Sequence, residues 1–249
     1  DSEQTLSDQK DLLKVVVPVF PRISNHTDFD SLRLHPHVDL CYVGPDQSIP
    51  SADLIILPGS KSVPHDLQWL REQGWVDSIQ KHLRYGGKLL GICGGFQMLG
   101  QQIDDPLGIE GAPGSCDGLK LLDFVTTLQP NKQLLQVNGH LNLPDAPRVE
   151  GYEIHCGISQ GDALQRPFAE LSQGSDGVIS SDNHIIGTYL HGVFDNDEAC
   201  NALLSWAGLN SNVQIDITQQ REQQLQRLAE CIEQNLDLKK LLPSIYKCA

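Results

Sequence analysis

Through roughly the first hundred residues the apolar positions fall into short continuous runs, and most runs are followed by a stretch in which apolar residues recur at helical spacing. Lys14 to Phe20 (KVVVPVF) is β-branched and reads as a buried strand, with Pro18 favouring a strand end or edge. Asn25 to Leu34 follows as a short helix, with Thr27 or Asn25 as its N-cap ahead of acidic first-turn residues. Val38 to Val43 and Asp53 to Leu57 are too short for helices and read as strands. Pro64 to Glu72 and Trp75 to Tyr85 place Leu67 and Leu70, then Val76, Ile79 and Leu83, on helical stripes that stop at Gly86-Gly87. Lys88 to Ile92 is again a strand, and Gly94 to Gln101 reads as a helix.

Alternation of this kind implies right-handed crossovers, hence an α/β fold with a mostly parallel central sheet flanked by helices, of flavodoxin-like type. From Leu119 the pattern changes to β-rich segments (Leu119 to Leu128, Leu134 to Leu141, Val149 to Cys156) separated by Pro, Asn and Gly turns, which predicts an antiparallel β extension of the same sheet. Ile185 to Leu190 is a last strand ending at His191, and Asp195 to Trp206 and Gln219 to Leu236 are helical. Leu225, Leu228, Ile232 and Leu236 form one stripe on the latter, expected to pack on its own domain; docking a partner is the alternative. The organisation expected is a tail over residues 1–13, one domain over 14–210, and a helical segment over 211–249 packed on that domain.

Composition narrows the function classes. A formal net charge of -14 opposes any surface built to neutralise phosphates, so no nucleic-acid partner is expected. No apolar run approaches the roughly 20 residues that span a bilayer, and the N-terminus has no signal-peptide pattern, so the expectation is a cytoplasmic protein with no membrane partner. The seven cysteines are odd in number and scattered, which argues against a disulfide framework. The start, Asp1 to Thr5, is polar and lacks an initiating methionine, as in a fragment of a longer chain.

The sharpest local signal is Gly91-Ile92-Cys93-Gly94-Gly95, where a buried strand turns directly into a helix. A nucleophile on such an elbow is held in a strained conformation and needs small neighbours where chain segments pass closely. At a helix N-terminus the thiolate is also favoured over the thiol. The plainer alternative is a Gly-rich turn carrying a buried cysteine. A base is needed, and His191, just past a strand and followed by Gly192, can reach the same sheet edge; as one of nine histidines it can equally be structural. Acyl transfer further needs donors for an oxyanion, which the backbone N–H groups of Gly59, in Leu57-Pro58-Gly59-Ser60-Lys61, and of Gly94 can supply. His35, His37 and Cys41 have ligand-like spacing, but no second cluster completes a zinc site, and no metal is expected.

In order along the chain, LPGSKS, GICGGFQMLG, EGYEIHCG and GTYLHGVFDND resemble the class I (triad-type) glutamine amidotransferase domain of cobyric acid synthases. PRISNHTDFD, Pro21 to Asp30, resembles the stretch that opens that domain. The resemblance implies that residues 14–210 are such a domain, with Cys93 as the nucleophile that attacks the side-chain amide of L-glutamine and His191 as its histidine. It implies ammonia delivered to corrin-ring carboxylates in cobalamin biosynthesis, activated by an N-terminal ATP-binding synthetase domain that is expected to be absent here. ATP and Mg belong to that domain, and none of this chain's residues is expected to hold a cofactor. The same chemistry serving cobyrinic acid a,c-diamide synthesis or a cell-wall lipid precursor is one alternative; an inert docking module is another.

One departure matters. Most class I amidotransferases carry Glu two residues after the histidine, and here that position is Val193, a lack shared with the cobyric-acid branch. Asp195 and Glu153 are the candidate third members, since an acceptor on the second ring nitrogen fixes the tautomer. Gln97, His155 and Tyr152 are candidate glutamine-binding residues, each of which can instead pack.

Overall fold

The computed structural model describes residues 12–209 and 217–241. Residues 1–11 of the expected tail, and 211–216 and 242–249 of the expected C-terminal segment, lie outside them.

The chain opens with β1 (Leu13–Pro18) and the two-residue β2 (Ile23–Ser24), then a 3-10 turn over His26–Phe29 that runs into α1 (Asp30–Leu34). Strands β3 (Val38–Val43), β4 (Leu54–Leu57) and β5 (Gly59–Ser60) lead to α2 (Val63–Glu72) and α3 (Trp75–Arg84). Next come β6 (Lys88–Ile92), α4 (Gly94–Met98), β7 (Gln102–Asp105), β8 (Gly114–Asp117), β9 (Val125–Leu141) and β10 (Arg148–Gln160). The short β11 (Ala169–Leu171), β12 (Gly174–Asp176), β13 (Val178–Ile179), β14 (Ile185–Thr188) and β15 (Leu190–His191) precede α5 (Asp197–Trp206) and α6 (Ile217–Asn235).

Six strands form the central sheet in the order β13-β14-β6-β4-β1-β3. Every neighbouring pair is parallel except β13 with β14. Because successive strand residues face opposite sides, β1 sends Val15 and Val17 to one layer, with Phe29, Leu32 and Phe194, and Val16 to the other, with Leu67, Leu70 and Phe96. Strand β4 divides the same way, Leu54 and Ile56 against Ile55 and Leu57, all at most 1% exposed. Each such side chain contributes about 1.5–3 kcal/mol relative to leaving it in water. These doubly buried strands explain why their sequences read as unbroken apolar runs.

The β-rich region differs from expectation in one respect: it is a second sheet, with the path β12-β11-β9-β10-β15 and with β7 and β8 attached, instead of an extension of the first. The end of the expected segment Leu119 to Leu128, from Val125, and the whole of Leu134 to Leu141 belong to one long strand, β9, paired antiparallel with β10 across a register shift at His155/Gly157, while residues 119–124 are not strand. The expected strand Ile185 to Leu190 is likewise divided. Its first part, β14, lies in the parallel sheet, and β15 belongs to the second sheet, so the chain passes between them at Tyr189. Buried Asp176 pins that crossing, accepting the Thr188 hydroxyl and, at 3.1 Å, the Tyr189 N–H. Burial, with Glu153 nearby as a lesser cause, pushes its carboxyl up to about 6.

At the helices, Asn25 caps nothing with its side chain; it takes a left-handed conformation (φ 52°, ψ 43°) ahead of the 3-10 turn. Asn196 does cap α5, accepting from the N–H groups of Glu198 and Ala199. Leu225, Leu228 and Ile232 on α6 and Leu236 just past its end are all exposed, so the stripe expected to pack on the domain faces solvent over the described residues.

Candidate active site

Cys93 follows β6 with φ 51° and ψ -106°, a conformation that costs a non-glycine residue on the order of 1–3 kcal/mol and persists only where the surroundings over-determine it. They do so here. Its N–H donates to the Thr188 carbonyl at 2.8 Å, and the next residues turn at once into α4. That turn runs against β4: a Cβ on Gly95 would lie 2.1 Å from the Leu57 carbonyl oxygen, so no side chain fits. The helix is a single turn, Gly94–Met98, shorter than expected, so the macrodipole it lends to Cys93 is small. Cys93 is 6% exposed, and its Sγ donates to the Ile154 carbonyl of β10 at 3.6 Å.

His191 ends β15 and is 1% exposed. Its Nδ1 lies 2.7 Å from Asp28 Oδ2, and the other Asp28 oxygen accepts the Gly192 N–H at 3.0 Å. An ionised carboxylate has only acceptors to offer, so Nδ1 carries the proton and the lone pair is on Nε2, the tautomer a general base needs. The Tyr152 ring is stacked on the imidazole, 5.3 Å between centroids at 21°, opposite it in the β10–β15 register.

Cys93 and His191 lie on one rim. Parallel pairing of β14 with β6 matches Thr188 to Ile92, so both strands deliver their carboxyl ends to the same side. Strand β10 touches both groups, through the Ile154 carbonyl and the Tyr152 ring. Strand β5 spans them as well: a Cβ on Gly59 would lie 3.3 Å from His191 Cε1, and one on Gly94 would lie 2.7 Å from the Ser60 N. The two expected oxyanion donors, Gly59 and Gly94, thus belong to segments packed against each other beside Cys93.

Of the expected third members, neither holds the His191 ring. Asp195 accepts the Ser31 hydroxyl at 3.0 Å and lines an acidic surface cleft with Glu150, Asn196, Asp197 and Glu198. Glu153 lies on the face of β10 opposite to Tyr152, 3.7 Å from His155 Nε2. The carboxylate at Nδ1 is Asp28, 3% exposed, from the PRISNHTDFD stretch. Sequence reasoning misses it because a pairing across 163 residues leaves no local spacing to read. The one available signal is an acid ahead of an apolar residue in a stretch already singled out.

Gln97 is 2% exposed, one turn past Cys93. Its Nε2 donates to the Tyr189 hydroxyl at 3.4 Å, and its Oε1 is buried without a hydrogen-bond partner among the described residues. His155 stacks on Tyr189, 3.8 Å between centroids, with Nδ1 2.8 Å from the Gly157 carbonyl. His35 and His37 contact each other edge to face, and the His37 N–H donates to His35 Nδ1 at 3.2 Å. Among the described residues no helix is long and apolar enough to cross a membrane.

Comparison with known proteins finds that the sequence profile of the CobB/CobQ-like glutamine amidotransferase domain matches residues 14–199. The chain is similar in structure to PurLQS from Thermotoga maritima, with a TM-score of 0.59 at 18% identity, over 78% of this chain and 99% of that one. It is similar also to a crystal structure of a glutamine amidotransferase, with a TM-score of 0.57 at 18% identity over 78% and 99% of the two chains. A third likeness, to a glutamine amidotransferase from Thermotoga maritima, has a TM-score of 0.51 at 13% identity over 78% and 81%. Likenesses at these identities speak to the α/β fold.

Proposed function

Because this chain belongs to the CobB/CobQ-like glutamine amidotransferase domain family, we propose that Cys93, His191 and Asp28 are the triad with which it hydrolyses L-glutamine. The observation that carries the assignment is the Asp28–His191 pair, set on the rim where Cys93 stands in its strained elbow. His191 Nε2 takes the thiol proton, and the thiolate attacks the side-chain carbonyl carbon of glutamine. The oxyanion is met by the backbone N–H groups of Gly94 and of Ser60, which follows Gly59 and packs against Gly94 with its N–H turned away from β2. As the C–N bond breaks, the imidazolium returns its proton to the departing nitrogen, which leaves as ammonia. Water, deprotonated by the same imidazole, cleaves the glutamyl thioester and restores the thiol.

Asp28 acts by fixing the tautomer and stabilising the imidazolium, the task of the carboxylate in serine and cysteine triads generally. Gln97 is proposed for the glutamine pocket, because a buried Oε1 without a partner costs about 1–3 kcal/mol unless a ligand donor meets it. His155, near Gln97 through Tyr189, is proposed to line the same pocket.

The acceptor proposed for the ammonia is a corrin-ring carboxylate activated with ATP and Mg on a synthetase domain, in cobalamin biosynthesis. What supports this is the resemblance of the five motifs to cobyric acid synthases; one of them, PRISNHTDFD, contains Asp28.

The test is incubation with a glutamine-analogue electrophile followed by peptide mass spectrometry. A single adduct on Cys93, absent in Cys93→Ser, is expected, together with ammonia release from glutamine by the unmodified chain. An adduct only elsewhere, or ammonia release undiminished in Cys93→Ala, removes Cys93 from the mechanism.

A further inference from the structure

Four features among the described residues fix the His191 side chain. Asp28 holds Nδ1 from one edge, Gly59 abuts Cε1, and Gly192, next in the chain, is tied to the same Asp28. The fourth is the Tyr152 ring, which lies nearly parallel to the imidazole, 5.3 Å between centroids. A hydrogen bond at one nitrogen leaves the ring free to tilt about that bond; a flat group on its face removes the tilt.

Three features make this stack a built arrangement. Gly151, immediately before Tyr152, lets β10 close on β15, since a Cβ there would lie 2.1 Å from the His191 carbonyl oxygen. Register pairing sets Tyr152 directly across from His191. The tyrosine hydroxyl is in turn tethered, accepting from Asn25 Nδ2 at 3.0 Å, and Asn25 reaches it from a left-handed backbone conformation (φ 52°) that a non-glycine residue adopts only at some cost. Asn25 stands three residues before Asp28, so one short segment supplies both the carboxylate on the ring's edge and the tether of the plate on its face.

We propose that Tyr152, tethered by Asn25, is a positioning residue that fixes the plane of the His191 imidazole toward Cys93, and that it is not part of the glutamine pocket. The inference rests on the Cys93–His191 reading above. A residue that orients the base changes how readily the thiol is ionised and how fast the chemistry runs. A residue that touches glutamine changes its binding.

The experiment measures alkylation of Cys93 by iodoacetamide, read at the Cys93 peptide by mass spectrometry, beside kcat and KM for glutamine. Tyr152→Leu is expected to slow alkylation and lower kcat about fivefold or more, the order of an aromatic stacking contribution, with KM unchanged. Tyr152→Phe keeps the ring and loses only the tether, and is expected to slow alkylation and lower kcat by less than Tyr152→Leu does, falling between it and the parent. In a His191→Ala background the Tyr152→Leu change should have no further effect on alkylation, because its route of action is gone. Should Tyr152→Leu fail to fold, Tyr152→Met, of similar reach but without the ring, is read in its place. A raised KM with alkylation intact, or an undiminished effect in the His191→Ala background, overturns the proposal. If His191→Ala itself leaves alkylation unchanged, the underlying Cys93–His191 reading has failed instead.

Discussion

Asp28 and His191 stand 163 residues apart in the chain and 2.7 Å apart in space, one carboxylate oxygen on the imidazole Nδ1 and the other on the N–H of the following residue. The two bonds fix both the ring and the backbone that carries it. In an Asp28→Asn variant one of them must suffer: an amide that keeps its oxygen on Gly192 turns its NH2 toward Nδ1 and forces the proton to Nε2. We expect kcat for glutamine hydrolysis to fall about 100-fold or more with the fold intact, measured by ammonia release and circular dichroism. Asp195→Asn, by contrast, should stay within a few-fold of the parent. Equal losses in the two would return the third position to Asp195.

The elbow is sterically closed at Gly95, in contrast to Gly114, where an added Cβ meets nothing within 4 Å. Gly95→Ala must move β4 or α4 and should lower stability by more than about 2 kcal/mol in urea titration, whereas Gly114→Ala should change it by less than about 0.5 kcal/mol. A well-folded Gly95→Ala protein would contradict the tight passage against Leu57.

The pocket role proposed for Gln97 sets binding against stability. Gln97→Met removes the unpartnered Oε1 at similar volume, so Tm should rise by a few degrees while KM for glutamine rises several-fold. If KM does not move, Gln97 is not in the pocket.

Asp176 gives a pH dependence whose sign can be worked out. Its carboxyl is raised from 3.8 to about 6 by burial, so between those values the folded chain holds a proton that the unfolded chain has released. The stability this contributes is fully present below about pH 4 and is lost as pH rises through about 6, a change of about 3 kcal/mol at this order of shift. Asp176→Asn lacks that dependence. Its stability relative to the parent should therefore climb from pH 4 to pH 7 in paired urea titrations, and a flat difference would show that Asp176 does not titrate in this window.

Much of this fold is written locally. The unbroken apolar runs at β1, β4 and β6 announce strands buried on both faces, and β6 has the ends its sequence predicts, Lys88 and Ile92. The second sheet is harder to read. Nothing in Ile185 to Leu190 marks the change of sheet at Tyr189, because the segment is apolar on both sides of the crossing and the agent that pins it, Asp176, comes from β12. The exposed stripe of α6 misleads in the opposite direction. Helical periodicity reports that one face is apolar, and has no means of reporting what, if anything, covers it. In the candidate site, Cys93 is legible because a strained elbow leaves its glycines in the sequence around it. The contacts of Asp28 and Tyr152 with His191 are not, because each reaches it from a distant part of the chain.

That crossing at Tyr189 has an assembly consequence. The sulfur is carried by one β-layer and the imidazole by the other, with a single residue between the strand that lies beside the first and the strand that belongs to the second. A folding intermediate in which only the parallel layer has formed would therefore bear its thiol without a base. On the proposed pairing, Cys93 gains its base only when the two layers come together, so the onset of its alkylation during refolding would time their union.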